Sequence, residues 1–429
     1  MRPCLLALLA PLLAAAAEPP LQHESAVRAL AELARVCDPE GMLLWGKSLC
    51  GPVVLVNPST HDALANRPDP EAKFRKDGDV FAGLFPHEFT PANTSIRWGD
   101  QDWATILLPV PADPFDRIKL LVHESFHRIQ PALGLSAPDT PDACLDAEAG
   151  RLWFRLELRA LAAALRSEGA SARQSASDAM LFRMYRHRVC PGSEPTDAGL
   201  EKQEGLAEYT GVFVAMRETG ESISRPARLV EAFEDSSAYA RSFAYATGPA
   251  LGLLLDRYAP AWRAKAATAA LDSLLTTALH VQDTQLETRA QRRAAVYGYT
   301  AVASAERERE QRHRALLADL KGRFIDGPVL EFPPAAEMMR NFNPSTLVPF
   351  PPHGTYYPTG TFAASWGKLH VESGGALVAP DNRSLRVTAP PDPNARPVGG
   401  PGWTLEIAPG WTVRPSNTPG TFVVAPLPK

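Results

Sequence analysis

Apolar residues recur every three or four positions over much of the first three quarters of the chain, a spacing that predicts amphipathic helices. The segments that show it lie at 23–36, 113–131, 147–167, 178–188, 197–218, 227–258 and 266–279, and a charged helix continues to about residue 321. Short apolar runs bounded by turn residues predict strands at 53–56, 80–84, 95–98 and 103–108. The last two flank a polar turn and predict a hairpin.

The pattern changes near residue 327. Pro and Gly become frequent, helical spacing disappears, and short segments at 368–372, 384–388, 403–407 and 420–424 alternate as strands do. These features predict a signal peptide at 1–17, a large domain at 18–325, a Pro-rich linker at 326–344 and a small β domain at 345–429. Within the large domain, a small mixed sheet is predicted at 18–135 and a helical part at 136–325. The predicted fold class is therefore α+β.

Charge and the N-terminal segment narrow the class of protein. The 429-residue chain carries a net charge of -4 and no basic run, so it lacks the positive surface that nucleic-acid binding requires. Met1-Arg2-Pro3 and the apolar run that ends at Ala17 predict a secretory signal peptide, because the run is too short to span a bilayer. We therefore expect a secreted or periplasmic protein with no integral membrane segment after cleavage; its oligomeric state stays open.

Four cysteines remain once the predicted signal is removed: Cys37, Cys50, Cys144 and Cys190. An even number in an exported chain favours two disulfides, and three pairings are open. The most local solution joins Cys37 to Cys50 and Cys144 to Cys190. A cysteine zinc cluster is disfavoured because the chain has no CxxC spacing.

The helix predicted at 113–131 carries the pattern His123-Glu124-Ser125-Phe126-His127. Asp113 suits the N-cap of this helix and Pro114 its first turn. Two histidines four positions apart lie on one helix face, so both imidazoles can bind a single Zn²⁺. Glu124 is then placed to act as general base on a metal-activated water.

A catalytic zinc site usually has three protein ligands, and two glutamates are candidates for the third. Glu204 and Glu208 share one helix face, so one can bind the metal while the other orients a histidine. Glu148 is closer in sequence to the histidines. The metzincin pattern is excluded because Gln130 and Leu133 stand where it needs glycine and then histidine.

The combination of His123-Glu124-x-x-His127 with Glu204-Gly205-Leu206-Ala207-Glu208-Tyr209 resembles the gluzincins, the thermolysin-like and aminopeptidase-like zinc peptidases. The resemblance implies a zincin-like catalytic domain with Zn²⁺ on His123, His127 and Glu204 and with Glu124 as general base. Many gluzincins place the glutamate sooner after the second histidine. Either the helices around the third and fourth cysteines are an insertion, or Glu148 is the ligand; Glu204 is preferred.

Two further features follow from the same resemblance. Tyr245-Ala246-Thr247-Gly248 is similar to the YxxG segment of the aminopeptidase branch, which implies that the Tyr245 hydroxyl faces the developing oxyanion. The strand at 103–108 resembles the edge strand on which these peptidases lay the substrate backbone. Prolines at its end also fit an edge strand.

These observations predict an exported zinc metallopeptidase acting on a peptide or protein substrate. One alternative is a noncatalytic binding protein on a zincin scaffold, which the presence of Glu124 disfavours because binding alone needs no general base. The other is a zinc hydrolase of non-peptide amides or esters. Nothing in the sequence excludes that alternative.

Overall fold

The computed structural model describes residues 23–335, 337–343 and 346–427, and the fold is mixed α+β, as predicted. The chain divides into two compact units with the boundary between Val302 and Ala303. The predicted signal peptide lies outside the described residues. Within the described ranges, every helix is too short or too polar to cross a bilayer.

The first unit contains one six-stranded sheet. Its strands are β1 (Val53–Val56), β2 (Asp62–Ala65), β3 (Arg75–Asp77), β4 (Val80–Leu84), β5 (Thr94–Trp98) and β6 (Gln101–Leu107). Their order is β3-β4-β2-β1-β6-β5, with β1 and β6 parallel and the other pairs antiparallel. The sheet is therefore mixed, as predicted, and the hairpin joins β5 to β6.

Strand β1 is apolar throughout because both faces of the sheet are covered. Val53 and Leu55 pack in the main core of the unit, whereas Val54 and Val56 join a second cluster that contains Trp98 and Trp103. Alternate residues of β1 thus pack into two different hydrophobic cores, one on each face of the sheet.

Helices make up the rest of the first unit. They are α1 (His23–Trp45), α2 (Pro114–Ile129), α3 (Glu148–Arg166), α4 (Gly169–Val189), α5 (Ser193–Leu200), α6 (Leu206–Thr219), α7 (Ser224–Phe233), α8 (Ala244–Tyr258), α9 (Leu271–Leu279) and α10 (Leu286–Ala294). A π-helical turn, Glu201–Gly205, joins α5 to α6. Helix α2 packs against both α6 and the sheet, so it links the two layers of the unit.

The structure corrects the predicted position of the strand at 103–108. This strand, β6, lies inside the sheet between β1 and β5, and β5 is the edge strand on that side. Pro109 and Pro111 follow the last residue of β6, so they remove no hydrogen-bond donor from its pairing. The prolines therefore marked the end of a strand and not an edge.

Both disulfides of the most local pairing are present. Cys37 is bonded to Cys50, and Cys144 is bonded to Cys190. The first closes the loop between α1 and β1, and the second joins the segment before α3 to the end of α4. Disulfides of this kind persist in oxidising compartments.

The second unit is mostly β structure. Helix α11 (Tyr299–Lys321) contains the boundary between the units, and a π-helical turn, Gly322–Asp326, follows it. The strands are β7 (Val329–Phe332), β8 (Met339–Asn341), β9 (Val348–Phe350), β10 (Gly354–Tyr357), β11 (Gly360–Ala364), β12 (Gly367–Val371), β13 (Ala376–Val378), β14 (Leu385–Thr388), β15 (Val398–Gly400), β16 (Trp403–Ile407), β17 (Trp411–Pro415) and β18 (Phe422–Pro426). They form a seven-stranded sheet, β17-β18-β7-β14-β13-β10-β9, and a five-stranded sheet, β15-β16-β12-β11-β8.

One apolar cluster lies between these two sheets, with Leu330 and Val387 from one and Leu369 and Leu405 from the other. The segment 326–344, predicted as a linker, supplies β7 and β8 to this structure. Val329, Leu330 and Phe332 of β7 are buried, but the prolines on either side of the strand hid this short apolar run. The β structure therefore begins at Val329, before the predicted domain start at residue 345.

Candidate metal centre

Helix α2 presents His123 and His127 on one face. Asp113 caps the helix by accepting a hydrogen bond from the Asp116 backbone N–H at 3.0 Å, as the sequence predicts. The apolar stripe of the helix is buried in the main core, so the histidine face is turned to the opposite side. His123 is 4% exposed, and its Nε2 atom lies 3.0 Å from Nε2 of His127.

The π-helical turn at Glu201–Gly205 brings Glu204 to the two histidines. Its Oε2 atom lies 3.4 Å from Nε2 of His123 and 3.5 Å from Nε2 of His127. The ligand atoms of these three residues all lie within 4.8 Å of one another. Glu148 opens α3 and is not among the residues that line the site. The geometry therefore assembles the preferred triad rather than the alternative.

A close helix crossing places Tyr245 beside the triad. Gly205 and Gly248 face each other so closely that a Cβ atom on Gly248 would lie 2.2 Å from the Cα atom of Gly205. With α8 this near, the Tyr245 hydroxyl donates a hydrogen bond to Oε2 of Glu204 at 2.7 Å. The Tyr245 ring is stacked on His123, with 5.6 Å between centroids. Glycine at 248 thus lets the tyrosine reach the site, where its hydroxyl meets Glu204.

Hydrogen bonds on the far side of each imidazole fix which nitrogen carries the proton. Nδ1 of His123 donates to Glu208 Oε2 at 2.8 Å, and Nδ1 of His127 donates to Gln130 Oε1 at 2.8 Å. Lys119 holds the other oxygen of Glu208. In neutral rings both Nε2 atoms then carry lone pairs, and these lone pairs face each other and Glu204.

Comparison with protein-family models, curated proteins and solved structures finds no match for this chain. The chemistry of the site therefore follows from its own atoms.

The donor set fits a zinc ion. Two imidazole lone pairs and one carboxylate oxygen converge, and such a buried group is stabilised by a cation bound between them. Tetrahedral coordination with bonds of about 2.0–2.2 Å places ligand atoms about 3.3–3.6 Å apart. The two distances from Glu204 to the imidazole nitrogens, 3.4 and 3.5 Å, fall in that range, and the 3.0 Å between the two imidazole nitrogens is shorter. Two histidines with one glutamate are also a known ligand set of catalytic zinc.

The pKa values of the site show the same demand for positive charge. Burial disfavours the charged imidazole, but Glu204 and Glu208 nevertheless raise the pKa of His123 to about 10. Burial also opposes ionisation of Glu204, yet hydrogen bonds from the two histidines lower its pKa below the usual range. The site thus favours an ionised carboxylate beside a cation, either a proton or a metal.

Glu124 differs from the other carboxylates of the site. It is 5% exposed, and its Oε2 atom finds no hydrogen-bond donor among the described residues. Burial raises the pKa of Glu124, although the neighbouring histidines act in the opposite direction. A desolvated carboxylate with a raised pKa and a free oxygen is a suitable proton acceptor.

A cleft of about 340 Å³ opens over these groups. The start of β5 and the preceding Asn93 line one side, and Ser136 and Gln203 line other parts. Its walls are mostly polar, and Glu124, Glu204 and Tyr245 all face it. The cleft therefore gives an extended polar molecule access to the triad along an edge strand.

A second group of buried charges, here called the arginine network, lies beside the turn that carries Glu204. Arg183 donates to Glu157 and to Glu201, with Nη2 2.6 and 2.7 Å from their Oε1 atoms. Arg186 forms salt bridges with two further carboxylates of the network, Asp142 and Asp197.

This network holds the first residue of the turn. Oε1 of Glu201 also accepts a hydrogen bond from the Thr247 hydroxyl at 2.6 Å. Sequence reasoning missed Glu201, because nothing in its spacing indicates a partner 18 residues earlier. It also missed the contact of Gln130 with His127, although a residue one helical turn after the second histidine lies on the same face.

Proposed function

We propose that the chain is an exported zinc-dependent peptidase of the gluzincin type. The support is the combination of a helix that carries both histidines, a second helical segment that supplies a glutamate, and a sheet edge beside them. The two disulfides fit an exported protein. The convergence of two imidazole nitrogens and one carboxylate oxygen, all within 4.8 Å of one another, carries the proposal.

The roles of the residues follow from their positions. His123, His127 and Glu204 would hold Zn²⁺, which when bound polarises a carbonyl group and lowers the pKa of water toward neutrality. Glu124, which lines the cleft and has one carboxylate oxygen without a hydrogen-bond partner, takes the proton of the attacking water and delivers it to the leaving amine.

Tyr245 is proposed to stabilise the oxyanion. Desolvation and the charge of Glu204 raise the pKa of Tyr245 above its ordinary range, so the hydroxyl stays protonated. The side chain is 41% exposed and lies at the cleft, where it can donate to a substrate oxygen once Glu204 no longer accepts its hydrogen bond.

The edge strand favours a peptide over a small ester or amide as substrate. Thr94 and Ser95 of β5 line the cleft, and β5 ends the sheet. An extended peptide can add to such an edge through main-chain hydrogen bonds, which would lay its backbone along the cleft. We therefore propose endogenous or environmental polypeptides as the substrate class.

Paired measurements of zinc content and peptide hydrolysis in the parent and in Glu124→Gln test the proposal. Both proteins should bind about one equivalent of zinc, because Glu124 is not a ligand. Hydrolysis should fall by about 10²–10⁴-fold in Glu124→Gln, since the amide cannot accept the proton.

Glu148→Gln serves as the control, and it should match the parent in both measurements. A parent that binds no zinc, or a Glu124→Gln protein as active as the parent, would contradict the proposal. A zinc-loaded parent that cleaves no member of a broad peptide library would support a binding role instead.

A further inference from the structure

Gln130 is a buried side chain whose hydrogen bonds join two parts of the metal centre. It follows α2 directly and is 1% exposed. Its Nε2 atom donates to the backbone carbonyls of Gln203 at 2.8 Å and Lys202 at 2.9 Å, with a longer contact to the Leu135 carbonyl at 3.3 Å. Its Oε1 atom accepts the hydrogen bond from His127 Nδ1 at 2.8 Å.

These contacts fix the orientation of the amide. Carbonyl oxygens only accept hydrogen bonds, so the NH₂ group of Gln130 must face Lys202 and Gln203. Its oxygen is therefore left for His127, which must carry its proton on Nδ1. The lone pair of His127 is thereby directed through Nε2 toward Glu204.

The other end of the same amide acts on the backbone next to Glu204. Lys202 and Gln203 belong to the π-helical turn, in which the Leu206 N–H reaches back to the Glu201 carbonyl. Gln130 donates to two backbone carbonyls of this turn, so its amide is anchored to the backbone beside Glu204. Glu204 is the next residue of that turn.

We propose that Gln130 is a positioning residue that couples two metal ligands on separate elements. One amide sets the tautomer of His127 and fixes the turn that places Glu204, although Gln130 itself binds no metal. This inference rests on the metal site of the proposed function. Loss of the Gln130 amide should weaken metal binding by about 10–100-fold, as removal of the hydrogen-bond partner of a metal ligand typically does.

Two substitutions test the two kinds of hydrogen bond that Gln130 makes, the one to His127 and those to the backbone carbonyls. Gln130→Met keeps the length of the side chain and removes both the acceptor and the donors. Gln130→Glu keeps an acceptor for His127 but places a carboxylate against the carbonyls of Lys202 and Gln203. Zinc affinity, measured by chelator competition, should fall in both, and the visible absorption spectrum of the Co²⁺-substituted protein should change in both.

Gln174→Met is the matched control, because that glutamine bonds Asp178 within α4 and should leave both readouts unchanged. If Gln130→Met does not fold, Gln130→Glu alone decides the inference. Parent-like zinc affinity in either folded variant overturns it. A parent that binds no zinc overturns the proposed function, whereas a zinc-binding parent with unaffected Gln130 variants overturns only this inference.

Discussion

The first unit holds two clusters of buried charge that differ in how their acceptors are satisfied. In the arginine network every carboxylate accepts a hydrogen bond from Arg183 or Arg186. In the candidate metal centre, two imidazole nitrogens and a carboxylate oxygen face one another, and the Tyr245 hydroxyl donates to that oxygen. Burial of charge is therefore common to both, but arginines bind the carboxylates in the first, whereas histidines contact the carboxylate of the triad in the second.

The two clusters meet in a single helical turn. Glu201 and Glu204 are three residues apart, yet Glu201 is bound by Arg183 while Glu204 points to the histidines. A buried glutamate alone thus says little about function. The informative feature is the convergence of a carboxylate with two imidazoles, groups that can bind one cation together.

The largest expected effect is on metal retention, and it tests whether Glu204 belongs to the second cluster. Loss of a residue that only hydrogen-bonds to a metal ligand weakens metal binding by about 10–100-fold. Glu204→Ala removes a proposed ligand itself, so it should weaken zinc binding by more than that. Glu148→Ala should retain zinc like the parent. Chelator competition on both proteins checks this. Equal loss of zinc in the two variants would show that Glu204 is not a zinc ligand.

The next effect is on folding and tests the structural role of the arginine network. Arg183→Met leaves Glu201 without a guanidinium and Glu157 with only the 3.4 Å contact to Arg186, so the free energy of unfolding should fall by about 3–5 kcal/mol. Arg188→Met, on the exposed side of the same helix, should change it by less than about 0.5 kcal/mol. Denaturant unfolding of zinc-free protein is the measurement. Similar values for the two variants would show that the network contributes little.

A smaller effect depends on pH. Burial, together with the nearby charge of Asp197, raises the pKa of Asp142 to about 6. The native state then binds more protons than the unfolded state between about pH 4 and pH 6, so the free energy of unfolding should decrease as pH rises through that window. Above it the loss is complete, on the order of 3 kcal/mol.

Asp142→Asn should remove this pH dependence while keeping the oxygen that caps the Cys144 backbone N–H. Unfolding curves of the parent and the variant at several pH values between 4 and 7 would show it. Because the side chain of Asp142 bonds Arg186 and the Cys144 backbone N–H, and neither histidine nor Glu204, added zinc should not change the difference. Parallel pH profiles for the two proteins would assign the dependence to other groups.

Local rules were sufficient for the elements that the sequence predicted well. The cap at Asp113, the apolar stripe of α2 and the strand at 53–56 are set by neighbours in sequence, and the structure has them as predicted. The histidine pair also follows from helical spacing alone. Glu208 was predicted to orient a histidine on the same grounds, and it does contact His123.

Features that depend on distant contacts were not predicted. The position of β6 inside the sheet is decided by its parallel pairing with β1, about 50 residues earlier. The role of Gly248 depends on the helix that crosses it at Gly205, which no local pattern reveals. The strand β7 was hidden because prolines surround a run of only four residues.

Asn93 has a practical consequence for producing the protein. It lines the cleft beside β5, its Oδ1 atom accepts a hydrogen bond from the Leu107 backbone N–H at 2.8 Å, and it begins an Asn-Thr-Ser acceptor sequence for N-linked sugars. An oligosaccharide attached there by a eukaryotic secretory host would stand at the entrance and obstruct bulky ligands. Bacterial expression, or an Asn93→Asp variant, keeps that entrance open.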